Sequence, residues 1–177
     1  MRETTINSEI LFTGKILKLR KETVLLPNGI QSTREIIDHA PAVVILPFQP
    51  PDTVYLVRQF RKAIDTVILE VPAGIIHNEE APLDAAKREL QEETGFSASN
   101  WIELGGAYPS PGFCNEYMHF FLAKDLMFVK QSPDEDELIE VVEMSVGEFE
   151  SLVKKKKIND GKTLISYYLT QDYFHSQ

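Results

Sequence analysis

Cysteine is almost absent from this chain: Cys114 is the only one in 177 residues. No internal disulfide can form, so stability must come from a packed core, and the chain suits a reducing compartment such as the cytoplasm. A lone thiol in a mixed segment reads as structural rather than nucleophilic. Long apolar runs are missing too. No stretch approaches the ~20 residues that a membrane-spanning helix needs. The first ten residues, MRETTINSEI, lack the apolar centre of a secretory signal. Basic residues are outnumbered: 18 Lys and Arg stand against 27 Asp and Glu, for a net charge of −9. That balance argues against a nucleic-acid groove. The one basic run, Lys154 to Lys157, follows an amphipathic stretch and reads as solvated. No histidine stands out as catalytic, since His39, His77 and His119 each read as satisfied structural residues. What remains is 43% hydrophobic, enough for one globular domain with a proper core.

Three pieces follow one another without long linkers or internal repeats. Up to about His39, KILKLRKETVLL and IQSTREIIDH alternate polar and apolar residues around Pro27-Asn28-Gly29. That is the pattern of a hairpin. Residues 1–40 are therefore expected to form a small antiparallel sheet ahead of a main domain, 41–177. In that domain AVVILPF, TVYLVRQF, VILEVPAG, NWIELGGAY, NEYMHFFLAKDL and LIEVVEM read as strands. VILEVPAG is taken as one short buried strand. The loops from Tyr108 to Phe113 and from Phe128 to Glu137 are rich in Pro, Gly and acid, the setting in which binding groups usually sit. The end is helical. Ser145 and Glu148 have capping-box spacing, and Asp160 can cap TLISYYLTQDYF. Its apolar face is expected at Leu164, Ile165, Tyr168 and Leu169. Mixed strands with a helix in the middle and helices at the end give an α/β (α+β) sandwich.

The most informative run is GIIHNEEAPLDAAKRELQEETGF, from Gly74 to Phe96. Read as a helix from about Pro82 to Thr94, it sets Glu89 four residues before Glu93 and three before Glu92. Those spacings stack three carboxylates on one patch. Such like charges lower helix stability unless a cation sits among them. Hard oxygen ligands without a nearby Cys or His suit Mg²⁺ or Mn²⁺ rather than zinc. Leu83, Ala86 and Leu90 form an apolar stripe that can anchor the helix. Pro82 fits its first turn, and Gly95 the position that ends it.

This run resembles the box of the Nudix hydrolases, which reads G, five residues, E, seven residues, R-E-U-x-E-E-x-G-U, with U apolar. Gly74, Glu80, Arg88, Glu89, Leu90, Glu92, Glu93, Gly95 and Phe96 meet every fixed position. The resemblance implies the Nudix fold, a mixed sheet between helices, and hydrolysis of a nucleoside diphosphate linked to another group. It implies Glu89 and Glu93 as principal metal ligands, Glu92 as a further one, and the Ala73 carbonyl as another oxygen. Arg88, counted with Glu92 in the catalytic machinery, is expected to hold the box loop to the helix through Glu80. Gly74 and Gly95 support the box. The flanks Asp38-His39-Ala40-Pro41-Ala42, LVRQFR, LEVPAG and YPSPGF resemble the ADP-ribose pyrophosphatase branch. Pro111, sixteen residues after Gly95, has the spacing associated with ADP-ribose hydrolases.

By the same resemblance, Arg61 and Arg58 are candidates for phosphate contacts, Arg61 foremost. In an alternating strand the two face opposite sides, so only one is expected to reach the site. Glu70 either meets the nucleoside or serves as a structural partner. The general base is expected in the acidic loop from Ser132 to Leu138, at Glu137, with Glu135 or Glu140 next. The branch also implies a homodimer in which the N-terminal strands cross to the second subunit. The implied reaction is Mg²⁺-dependent cleavage of ADP-ribose to AMP and ribose 5-phosphate. Two alternatives stay open: another nucleotide sugar such as GDP-mannose, or a non-catalytic ADP-ribose-binding regulator.

Overall fold

The computed structural model describes residues 1–132 and 138–174. Chain contacts divide it into two units: residues 1–41 with 107–117, and residues 42–106 with 118–177.

The first unit is a three-stranded antiparallel sheet of β1 (Thr4–Thr13), β2 (Leu17–Leu25) and β3 (Gln31–His39), in that order. The hairpin read from Pro27-Asn28-Gly29 is present, with Leu25 opposite Gln31. Gly29 has φ 82°, a conformation that a side chain disfavours. Its N–H donates to Leu26 O at 2.9 Å, and Asn28 Oδ1 accepts from Ile30 N at 3.2 Å. The sequence reading assigned no strand before Lys15, yet β1 pairs along nearly all of β2. All ten of its residues are exposed, so no apolar alternation marks it. Segment 107–117 joins this unit because Cys114 bridges Ile37, while the Asn115 side chain bonds both His39 N and Asp38.

The second unit is built on a seven-stranded mixed sheet. Its strands are β4 (Ala42–Gln49), β5 (Thr53–Arg61), β6 (Thr66–Glu70), β7 (Ala73–Ile75), β8 (Phe96–Ala107), β9 (Met118–Phe128) and β10 (Ile139–Ser145). The main order is β10-β5-β4-β9-β8, with β6 beside β5 and β7 beside β4. AVVILPF becomes the central strand: Ala42 to Phe48 are all buried, and β4 runs parallel to β9. VILEVPAG is two strands, not one. Pro72 has no N–H to extend a ladder, so the chain leaves β5 at Glu70 and pairs anew with β4 at Ala73.

Three helices complete the unit: α1 (Pro82–Thr94), α2 (Val146–Lys154) and α3 (Gly161–Phe174). Helix α1 has the bounds read from sequence. Gly95 ends it at φ 77°, with its N–H on Gln91 O at 2.9 Å. Its inner face is Ala85, Ala86 and Leu90, packed on Val43, Ile45, Phe121 and Ala123. Leu83, placed on that stripe from sequence, is instead exposed in the first turn, and Ala85 is buried. Truncating Leu90 to Ala would cost roughly 2–5 kcal/mol. Helix α3 lies against β4, with Phe174 edge-on to Phe48 at 5.3 Å. Its buried face is Thr163, Ser166, Tyr167, Thr170 and Phe174, while Tyr168 and Leu169 are exposed. Apolar residues surround this helix, so their periodicity pointed to the wrong face. On the true inner face Thr170 Oγ1 donates to Ser166 O at 2.7 Å, whereas the buried Ser166 hydroxyl has no hydrogen-bond partner among the described residues.

Candidate active site

The box acids gather where β7 meets α1. Glu93 is almost wholly buried, and its Oε2 accepts from Ala73 N at 3.2 Å. Its carboxylate therefore lies at the residue whose carbonyl was expected to join it. Glu89 lies flat against the backbone of β7. A Cβ on Gly74 would overlap the Glu89 carboxyl carbon and both oxygens. Glycine is required at 74 for this approach, not for turn geometry. At the other end of α1, a Cβ on Gly95 would stand 2.8 Å from Gln131 N and 2.8 Å from the Phe128 ring. Both box glycines thus have a steric reason.

Arg88 ties the cluster together. Its Nε donates to Glu80 Oε1 and its Nη2 to Glu80 Oε2, both at 2.9 Å. Nη2 also donates to Ile75 O at 3.0 Å. Nη1 donates to Glu89 Oε1 at 2.6 Å and to Glu92 Oε2 at 2.9 Å. The fork therefore fastens the box loop to the helix and places one positive charge among three carboxylates. The bond from Arg88 holds the Glu80 carboxyl down to about 2 against the opposing effect of burial. The bond to Glu80 in turn raises the Arg88 guanidinium. Among the described residues, no group of three or more acids, His or Cys is arranged to hold a metal ion. Arg88 Nη1 engages one oxygen of Glu89 and one of Glu92. The donor set still fits a hard divalent ion, because Glu89, Glu92 and Glu93 offer only carboxylate oxygens within one helical turn.

The two arginines separate as strand alternation requires. Arg58 faces solvent, where Nη1 reaches both oxygens of Glu140, its cross-strand partner on β10, at 2.8 Å. Arg58 is thus engaged in a surface ion pair with Glu140, a reserve candidate for the base. Arg61 turns the other way. Its Nε donates to Glu70 Oε1 at 2.7 Å. Burial alone would lower the Arg61 pKa, but the bond and charge of Glu70, with the charges of Glu93 and Asp160, raise it. Glu93 is thus near enough to act on Arg61. Nη1 and Nη2 of Arg61 donate to no group among the described residues. Glu70 has no exposed surface and is shared by Arg61 and Lys162. Each of its two oxygens accepts from one of these cations.

Glu137 lies outside the described residues, as does Glu135. The chain leading to them is fixed to the box helix. Val129 N donates to Gly95 O at 2.8 Å, Gln131 Nε2 to Glu93 O at 2.7 Å, and Ser132 N to Glu92 O at 3.2 Å. Pro111 is exposed in segment 107–117 of the first unit. Sequence reasoning missed Gln131, Lys162 and Thr163. Thr163 Oγ1 accepts from Val71 N at 2.9 Å, docking the first turn of α3 beside Glu70. Their partners lie 38 or 92 residues away in sequence, so no local pattern could reveal them.

Residues 38–167 match the NUDIX domain. The chain belongs to the Nudix family. Residues 3–37 match the nucleoside diphosphate sugar hydrolase N-terminal domain. An ADP-ribose pyrophosphatase of Bacillus subtilis is 41% identical over 92% of this chain and 89% of its own length. A methanol dehydrogenase activator of Bacillus methanolicus is 37% identical over 96% of this chain and 92% of its own. A GDP-mannose pyrophosphatase of Yersinia enterocolitica is 37% identical over 90% of each. A crystal structure of an ADP compounds hydrolase superposes with a TM-score of 0.87 over 98% of this chain and 94% of its own. At 22% identity it speaks for the Nudix fold alone. Members of this family are in general divalent-metal dependent. No helix among the described residues is long and apolar enough to cross a membrane.

Proposed function

We propose that this Nudix protein hydrolyses the pyrophosphate bond of ADP-ribose to AMP and ribose 5-phosphate, using Mg²⁺, which Mn²⁺ can replace. The observation that carries the reading is the intact acid cluster. Glu89 is seated on Gly74, Glu93 on Ala73 N, and Glu92 is held by Arg88. Glu89, Glu92, Glu93 and the Ala73 carbonyl would hold the ion. When bound, it neutralises pyrophosphate charge and acidifies water.

The chain's own residues do the rest. Arg88 fixes the box loop, and Arg61 offers to phosphate oxygens its Nη1 and Nη2, which have no acceptor among the described residues, a geometry to which guanidinium is suited. A bidentate contact from arginine also orients the scissile bond. Glu137, beyond the anchored segment 129–132, is the proposed base that takes the proton from attacking water. The ADP-ribose choice rests on the 41% identical relative and on the flanks from Asp38 to Phe113.

We also propose a cytoplasmic homodimer. Ile6, Ile10 and Phe12 on β1 are each more than half exposed, and a sheet this apolar on its outside suits a covered face. The same unit holds an open cleft of about 280 Å³ lined by Lys15, Lys18, Asp38 and His39 among others. GDP-mannose is the second substrate to test, because a GDP-mannose pyrophosphatase is 37% identical. A hydrolysis screen of nucleotide sugars, NADH and dinucleoside polyphosphates with Mg²⁺ decides between them. The highest kcat/KM on ADP-ribose supports the proposal. A higher value on GDP-mannose moves the substrate, and no turnover of any compound removes the reaction.

A further inference from the structure

We infer that Lys162 is a positioning residue that keeps the fork of Arg61 free for phosphate by occupying the second oxygen of Glu70. Glu70 is wholly buried and could accept an arginine in the bidentate, fork-to-fork manner that carboxylates favour. It does not. Arg61 reaches only Oε1, through Nε at 2.7 Å, while Oε2 accepts from Lys162 Nζ. Lys162 is itself held in place, with Nζ 3.1 Å from Asp160 Oδ2 and only 13% of its side chain exposed.

The first turn of α3 is locked around this contact. Asp160 Oδ2 accepts from Thr163 N at 3.0 Å, and Thr163 Oγ1 accepts from Val71 N at 2.9 Å. The backbone that carries Lys162 is therefore fixed beside Glu70, and its ammonium is held between Glu70 Oε2 and Asp160 Oδ2. Two cations and two carboxylates make the group neutral as a whole, which offsets the cost of burying Glu70. The arrangement leaves Nη1 and Nη2 of Arg61, whose side chain is 40% exposed, without an acceptor among the described residues. Glu93 is near enough to act on the same guanidinium.

Removing Lys162 frees Oε2. Arg61 then swings onto Glu70 with both Nε and an Nη, because a buried carboxylate oxygen without a donor is costly. The fork is withdrawn from the site. The inference rests on the pyrophosphatase reading only for what Arg61 touches; the choice between one and two bonds to Glu70 is independent of it.

The test pairs kinetics with structure. Lys162→Met should raise KM for the best nucleotide-sugar substrate about tenfold or more, the scale of one lost charged hydrogen bond, with a smaller change in kcat. Lys162→Arg, which restores a donor, should recover most of it. In an Arg61→Met background the Lys162→Met change should add nothing, since both act through one contact. In Glu70→Gln/Lys162→Met, an amide cannot offer two acceptor oxygens. KM there should stay close to that of Glu70→Gln, and this neutral pair also serves if Lys162→Met folds poorly. An equal KM rise with and without Arg61, or no rise at all, overturns the inference. The crystal structure of substrate-free Lys162→Met, or of Lys162→Gln should the first not fold, separates it from the reaction. Arg61 bidentate on Glu70 supports it, and Arg61 still held by Nε alone refutes it. Failure of the pyrophosphatase reading would show instead as wild-type protein that hydrolyses no nucleotide sugar.

Discussion

Gly74→Ala tests whether the seat of Glu89 matters more than the stability of β7. The added methyl would overlap the Glu89 carboxyl carbon and both oxygens. Ordinary contact between such atoms begins near ~3.5 Å, so the carboxylate must retreat by more than about 1 Å. The atoms displaced are the far end of a flexible side chain, and Gly74 does not have a left-handed φ. Folding should therefore change by less than about 1 kcal/mol, or roughly 2–4 °C in Tm for a chain of this size. Activity has no such latitude. Misplacing a reacting group by ~1 Å can cost ~10²-fold in rate. The assay is ADP-ribose hydrolysis at saturating Mg²⁺, with thermal unfolding followed on the same samples. Gly147→Ala, where a Cβ meets nothing within 4 Å, is the matched control and should behave as wild type. A folded Gly74→Ala protein within threefold of wild-type turnover would refute the reasoning. So would a lost activity that merely follows a large fall in Tm.

Glu137→Gln should lower kcat by ~10²–10⁴-fold while KM moves little, because a base acts in the transition state. A change below about threefold would pass the role to Glu135, measured beside it. Glu80→Gln removes a carboxyl held down to about 2 by Arg88. A depressed carboxyl stabilises the fold above its unfolded value near 4.5 and loses that contribution as pH falls toward 2. Urea unfolding should then show wild type ahead of Glu80→Gln at neutral pH, with the gap closing between those two values; a gap constant with pH contradicts the pairing. Deleting residues 1–38 should abolish the dimer and weaken ADP-ribose binding, and a fully active monomer by light scattering would end that idea.

What could be read from the sequence was what neighbouring residues decide among themselves. Pro82 and Gly95 mark the ends of α1 because one lacks an N–H and the other tolerates φ 77°. Ser145 and Glu148 make their capping box from residues three apart, and Asp160 caps α3 in the same local way. The placing of Glu89, Glu92 and Glu93 within one turn of α1 was legible from helical spacing, but among the described residues the three are not arranged to hold a metal ion. The burial of α3 was not, because apolar residues lie on all its sides and the sheet selects the face with Tyr167 and Phe174. Nor was the fate of Glu70. Its two cations come from β5 and from α3, 9 and 92 residues away, and only the folded sheet brings them to one carboxylate. The split of VILEVPAG was signalled by Pro72, whose missing N–H was visible in the sequence but was not used to break the strand.

The most direct test of the account is the product analysis of purified wild type and Glu93→Gln with ADP-ribose and Mg²⁺, followed by ³¹P NMR. Wild type should give equimolar AMP and ribose 5-phosphate, with no reaction after EDTA and restoration by Mg²⁺ or Mn²⁺. A Glu93→Gln protein whose fold is intact should show almost no turnover. Wild-type turnover unaffected by EDTA, or Glu93→Gln turning over at the wild-type rate, would contradict the account.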